Sequence, residues 1–156
     1  MIFATVGTQL PFPRLIDALN RLAPDLAEEV VAQVGRSKGD WPALDIRRSL
    51  TPQDFEALFT SARVVVAHAG IGTILSAKRW QKPLVIVPRR HAMGEHRNDH
   101  QLATARQVDS MPGIHVAWDA DDLRRLLSAP DLPPASEVAS PSHGALIGRL
   151  RQFIET

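Results

Sequence analysis

Arg63-Val64-Val65-Val66-Ala67, running straight into His68-Ala69-Gly70-Ile71-Gly72-Thr73, is the stretch that decides the fold. Its first half is a β-branched run with no polar alternation, the pattern of a strand buried on both faces. Its second half is a glycine turn, and from Ile71 to Trp80 the apolar spacing becomes helical. A second two-faced apolar run, Leu84–Val87, follows Lys82-Pro83. Strand, turn, helix, strand is a βαβ unit, and such units build parallel sheets. Working outward, further strands are expected over Ile2–Val6, Glu29–Val34, Asp45–Leu50 and Ile114–Ala117. Helices are expected over Pro13–Ala23, Pro52–Ser61, Asn98–Val108 and Asp121–Leu127. In the first helix Leu15, Ile16, Leu19 and Leu22 form one stripe. Thr51 and Pro52 read as the cap and first residue of the second. The fold class is α/β, a Rossmann-like parallel sheet with flanking helices. Its domain spans 1–129, followed by a Pro-rich linker or strap over 130–143 and a C-terminal helix over 144–156.

The 156 residues suit one domain with a substantial core. Apolar residues at 44% and charged residues at 22% exclude wholesale disorder. Eighteen Lys and Arg against seventeen Asp and Glu leave a net charge of +1, with His counted neutral. With three Trp, five Phe and no Tyr, and with Arg doublets scattered among acids, there is no basic stripe or stacking platform for nucleic acid. Absence of cysteine excludes disulfides, thiol nucleophiles and cysteine-zinc sites. No Gly-x-Ser-x-Gly elbow is present. Met1–Val6 is too short and lacks the basic start of a signal peptide, and no window approaches a membrane span. The expectation is therefore a cytoplasmic chain, with any membrane contact made through a partner.

Three segments carry chemistry. Val6-Gly7-Thr8 ends the first strand, where an open α/β sheet places ligands. His68-Ala69-Gly70-Ile71-Gly72-Thr73 presents helix N-terminal N–H groups to whatever sits above the strand, and a phosphate or diphosphate is the natural guest. Thr73 adds a hydroxyl and His68 a ring donor. The motif is neither G-x-G-x-x-G, since Leu75 holds the third glycine position, nor a P-loop. A purely structural glycine turn is the alternative. The third segment, Pro88 to Gln101, is a polar loop leading into a helix. Its amides and carboxylates suit ribose and sugar hydroxyls, and Arg89 and Arg90 suit phosphate or carboxylate. His96 and His100 have helical i,i+4 spacing, but Arg97 stands where a zinc-protease pattern needs Glu. No metal site is expected.

Together, Val6-Gly7-Thr8, His68-Ala69-Gly70-Ile71-Gly72-Thr73, Lys82-Pro83-Leu84 and Gly94-Glu95-His96-Arg97-Asn98-Asp99-His100-Gln101 resemble the C-terminal, donor-binding half of family 28 glycosyltransferases. The likeness covers residues 1 to about 128. It is greatest to single-half members, the small subunits of two-chain exopolysaccharide glucuronosyltransferases and of the dolichol-linked N-acetylglucosamine transferase. The resemblance implies half of a GT-B architecture, with a nucleotide-sugar site on this chain. Gly7, Thr8, His68, Gly70, Gly72 and Thr73 would hold the donor diphosphate. Asn98, His100 and Gln101 would reach sugar hydroxyls. The ribose would fall to Ser76, which stands where many relatives carry a glutamate, or to Glu95.

The same resemblance implies an inverting enzyme with no cofactor, using a UDP-sugar as substrate. A membrane-associated glycosyltransferase subunit would bind a lipid-linked glycan acceptor and supply the general base, so no catalytic base is assigned here. The place of action would be cytoplasmic, at the inner face of the membrane. A non-catalytic nucleotide-sugar-binding regulatory module is the alternative, and a self-associating transferase is a third.

Overall fold

The computed structural model describes residues 1–8 and 10–136. Among these residues six strands, β1 (Ile2–Thr5), β2 (Val30–Gln33), β3 (Asp45–Arg47), β4 (Val64–His68), β5 (Leu84–Val87) and β6 (Ile114–Val116), form one sheet. Their order is β3-β2-β1-β4-β5-β6 and every pairing is parallel. This is the Rossmann order, in which the chain reverses its direction of travel between β1 and β4. Among the described residues five α-helices cover the sheet: α1 (Pro13–Leu22), α2 (Pro52–Ser61), α3 (Ile71–Trp80), α4 (His100–Val108) and α5 (Ala120–Ser128).

Alternation along the strands sorts the core into two layers. Ile2, Ala4, Val64, Val66, Val85 and Val87 face the Leu15-Ile16-Leu19-Leu22 stripe of α1 and the leucines Leu123, Leu126 and Leu127 of α5. Phe3, Val65, Ala67, Leu84 and Ile86 face α2, α3 and α4. On that side Phe3, Phe55, Phe59 and Trp80 interlock, with the Phe59 and Trp80 rings 5.0 Å apart and edge-on.

The helix starts follow local chemistry. Thr51 Oγ1 accepts the Asp54 N–H at 3.1 Å, and Pro52 occupies the first turn. Asp119 caps α5 by accepting the Asp122 N–H at 2.7 Å, so that helix begins one residue before the expected Asp121. The expected start of α4 at Asn98 is corrected to His100. Asn98 and Asp99 spend their side chains on local bonds instead: Asn98 Oδ1 accepts from His100 N at 3.0 Å and Asp99 Oδ1 from His91 N at 3.0 Å. Strand β3 stops at Arg47 rather than Leu50, and β4 runs one residue further than expected, to His68.

Residues 130–136 lie against the domain: Ala135 is fully buried and donates its N–H to Lys82 O at 3.1 Å. The rest of the Pro-rich segment, 137–143, and the helix expected over 144–156 lie outside the described residues. Among the described residues no helix is long and apolar enough to cross a membrane.

Candidate functional site

The carboxyl ends of β1 and β4 meet where the strand order reverses, and a crevice opens above them. A cavity of about 260 Å³ lies there. Gly7, Thr8 and Leu10 line it from the β1–α1 loop, His68 from β4, Arg89 from the end of β5, His96 from the polar loop and Gln101 from α4.

Arg89 is the floor of this site and is only 2% exposed. Its guanidinium donates to three backbone carbonyls of the β1–α1 loop: Val6 at 2.6 Å, Pro11 at 2.6 Å and Leu10 at 2.9 Å. It also lies over the Phe12 ring, 4.7 Å from the centroid. Three of its five N–H donors thus go to the protein's own loop, and the expected offset of phosphate or carboxylate charge by Arg89 would act through its cation beneath the cavity. Burial lowers the guanidinium to about 10, and the charge of Glu95 works the other way. It remains a cation at neutral pH, and among the described residues no carboxylate touches it. Three carbonyls solvate the charge without neutralising it, so a positive potential persists beneath the cavity.

His68 stands beside it. Burial pushes its imidazole down to about 4, aided by the nearby Arg89 cation and by His96, so the ring is neutral at neutral pH. Nδ1 lies 3.0 Å from the Gln101 side-chain amide nitrogen. Among the described residues Nε2 has no partner and no buried side-chain nitrogen or oxygen lacks one, so Nε2 reaches the cavity. Two glycines make room for this ring. A Cβ on Gly7, whose φ is +77°, would lie 3.0 Å from Nε2, and one on Gly70 would lie 2.5 Å from Cε1. Gly72 differs: a Cβ there would meet nothing within 4 Å.

Helix α3 starts next to His68. Its N-cap, Gly70, has no side chain to offer, so the first-turn N–H groups of Ile71, Gly72 and Thr73 lack a capping acceptor. Thr73 and Ser76 follow along the same helix, half-buried and three residues apart, which is one face of a helix.

Gln101 joins the two loops above the sheet. Its Oε1 accepts from Ala69 N at 3.2 Å and from Arg89 N at 3.0 Å. Glu95 is set apart from this cavity. Its carboxylate takes a two-pronged bond from Arg14, at 2.8 and 3.0 Å, and accepts Arg90 N at 3.0 Å. It lines a neighbouring hollow of about 460 Å³ with Arg14, Asp17 and Met93. Arg90 donates to Trp118 O at 3.2 Å. The histidines of the loop have separate tasks: His91 Nδ1 donates to His96 O at 3.0 Å, and His96 Nδ1 accepts from Asn98 N at 3.4 Å.

The fold thus gathers Gly7, Thr8, His68 and Gln101 around one cavity, with Gly70, Gly72 and Thr73 at the adjoining helix end. Asn98 and His100 sit at the start of α4, and Glu95 faces Arg14. Sequence reading missed Arg14 as the clamp of Glu95 and Arg89 as the holder of the β1–α1 loop. The only signal was their residue type, since the pairings span 81 and 83 positions. Chemically, a neutral ring donor, unsatisfied helix N–H groups and a buried cation around one crevice suit a multiply charged anion of diphosphate size.

Residues 1–112 match the glycosyltransferase family 28 C-terminal domain. The chain is 28% identical, over 179 aligned positions, to the UDP-N-acetylglucosamine transferase subunit ALG13 of Eremothecium gossypii, and the match covers 86% of each. An NMR structure of ALG13 is similar with a TM-score of 0.62 and 19% identity, covering 94% of both chains. The glycotransferase of kitacinnamycin is similar with a TM-score of 0.62 and 18% identity over 99% of this chain, but over only 39% of its own. VinC, in a complex with DTDP, is similar with a TM-score of 0.55 and 20% identity, again over 37% of its length. The chain therefore spans under two fifths of these larger glycosyltransferases.

Proposed function

The chain belongs to the glycosyltransferase family 28 C-terminal domain family, and from that premise we propose that it is the donor-binding subunit of an inverting two-chain glycosyltransferase. Its fold is the Rossmann-like C-terminal half of the GT-B architecture. The donor is a UDP-sugar, in keeping with the relative named as a UDP-N-acetylglucosamine transferase subunit. The observation that carries the reading is the crevice at the β1–β4 reversal, where the Arg89 cation lies beside His68 and the α3 N-terminus with no carboxylate in contact among the described residues.

The donor diphosphate lies over Gly7, Thr8 and His68, against Gly70, Gly72 and Thr73. As the anomeric bond breaks, charge grows on the departing diphosphate, and these donors are already in place to meet it. Asn98, His100 and the remaining amide hydrogen of Gln101 are assigned to the sugar, and Ser76 to the ribose. Glu95 is a weaker candidate for ribose or sugar because Arg14 and Arg90 N already hold it. No metal or cofactor is needed for this scheme. The acceptor hydroxyl loses its proton to a base on a partner subunit, which binds a lipid-linked glycan acceptor at the cytoplasmic face of a membrane and completes the cleft. Exopolysaccharide or glycan assembly is the process served, and hexosyl or glucuronosyl transfer the reaction.

Calorimetric titration with UDP, ADP and UDP-sugars, alone and after co-expression with a candidate membrane subunit, tests the proposal. Selective UDP-sugar binding, weakened in His68→Ala, is the expected result. Absence of binding in both preparations removes the proposal, and binding with no sugar transfer by the complex points to the regulatory reading instead.

A further inference from the structure

Gln101 was expected at the sugar, but its bonding assigns it a second task. Two backbone N–H groups, from Ala69 and Arg89, converge on one end of its amide. Only the carbonyl oxygen can accept both, which fixes the amide orientation. The NH₂ end then faces His68 Nδ1 at 3.0 Å and must donate to it. Nδ1 can accept only if it carries no proton, so the neutral ring carries its proton on Nε2, the atom that opens on the cavity.

We infer that Gln101 is a positioning residue which locks His68 in the Nε2–H tautomer, so that a neutral ring donates a hydrogen bond to the anion in the crevice. The assignment rests on the donor-site reading for what the ring donates to, but the tautomer stands independently of it. The lock has a physical purpose. A ring with the opposite tautomer would aim a lone pair at the anion and repel it. A doubly protonated ring would crowd a second cation against Arg89, at a site too buried to bear it. Among the described residues the charged or titratable groups facing the ring are Arg89 and His96, and the β1–α1 loop brings Gly7 against it. Gln101 also ties the loops after β4 and β5 together, so tautomer and loop geometry are set by one side chain.

The test is ¹⁵N NMR of the His68 ring in the whole chain, with a UDP-sugar as the binding probe because its diphosphate diester keeps a constant charge near neutral pH. Gln101→Glu is the decisive variant: a carboxylate still accepts both backbone N–H groups but cannot donate to Nδ1. In the wild type the ring shows a neutral Nε2–H signature, and UDP-sugar affinity is flat from about pH 8 to 5.5. In Gln101→Glu the ring turns to Nδ1–H or becomes doubly protonated. UDP-sugar affinity at about pH 8 falls roughly tenfold and recovers as the ring protonates. A wild-type ring with its proton on Nδ1, or an unmoved ring signature in Gln101→Glu, overturns the inference whatever the binding. The wild-type spectrum alone can do so, even if the variant does not fold. Ring signatures as expected, in a chain that binds no UDP-sugar or pyrophosphate with or without a partner, uphold the tautomer lock and overturn the donor-site reading instead.

Discussion

Two arginines hold loops at opposite edges of the same sheet, and they are balanced differently. Arg63, at the amino edge, donates to the carbonyls of Leu127 and Ala129 and also pairs with Glu28 at 2.8 Å. Glu28 in turn meets the N-terminal ammonium at 3.1 Å. Arg89, at the carboxyl edge, donates to carbonyls alone among the described residues. Arg63 has a carboxylate partner, shared with the terminal ammonium, whereas Arg89 keeps a charge that backbone carbonyls solvate and that no carboxylate contacts among the described residues. The glycines repeat the lesson. Gly113, with φ +81°, leaves space for the returning backbone, since a Cβ there would lie 2.2 Å from Ala135 N, while Gly72 faces open space. One edge is filled by its own chain; the other leaves open space at the start of α3.

The largest expected effect breaks this contrast at its centre. Arg89→Met strands three carbonyls, costing about 3 kcal/mol in a denaturant melt and lowering UDP-sugar affinity by roughly thirtyfold. Arg63→Met, by contrast, costs about 1 kcal/mol and leaves that affinity unchanged. Equal affinity losses in the two variants would mean the edges do not differ in function.

Acid separates the edges next. The folded-state value of His68, about 4, is below its ordinary value of 6.5. The unfolded chain therefore binds this proton more readily. The stabilisation is complete above about pH 6.5 and is lost as pH falls toward 4, by up to about 3 kcal/mol. His68→Asn should flatten that part of the pH–stability curve, and an unchanged slope would remove His68 as its source.

The glycines sharpen the comparison further. Gly113→Ala should destabilise by about 2 kcal/mol through its positive φ and the backbone it meets. Gly72→Ala should stabilise α3 by up to about 1 kcal/mol while weakening UDP-sugar binding, because the new methyl enters the space left for the anion. Thermal melts and titrations on the two variants read both signs. Smallest is the exposed Arg124–Asp25 pair, 3.0 Å apart. Arg124→Ala should shift stability by no more than about 0.5 kcal/mol, since solvent screens such pairs and neither edge depends on it.

Much of the fold was legible because burial on a sheet imposes simple periods. Val64-Val65-Val66 and Leu84–Val87 have no polar face, which only a doubly covered strand tolerates. The α1 stripe and the Thr51-Pro52 start are equally local signals. Boundaries shifted where side chains competed with the backbone, as at Asn98 and Asp99. Of the candidate site, the glycine turn and His68 were readable from their place between strand and helix. The hold of Arg89 on the β1–α1 loop was not readable, because an arginine in a polar loop looks free until its carbonyl partners are known.

By itself, then, the sequence determined the alternation of strands and helices, the parallel sheet, and the glycine turns at two strand ends. Each depends on neighbours a few positions apart, through hydrophobic period and backbone freedom. Only the tertiary structure decided which groups would meet. It brought Arg89 beneath a loop 83 positions away, closed Arg14 on Glu95, and turned Gln101 toward both Ala69 and His68. Hydrogen bonds require partners within about 3 Å and aligned, and no sequence period encodes that coincidence. It arises when the packed sheet fixes the positions of all its carboxyl-end loops at once.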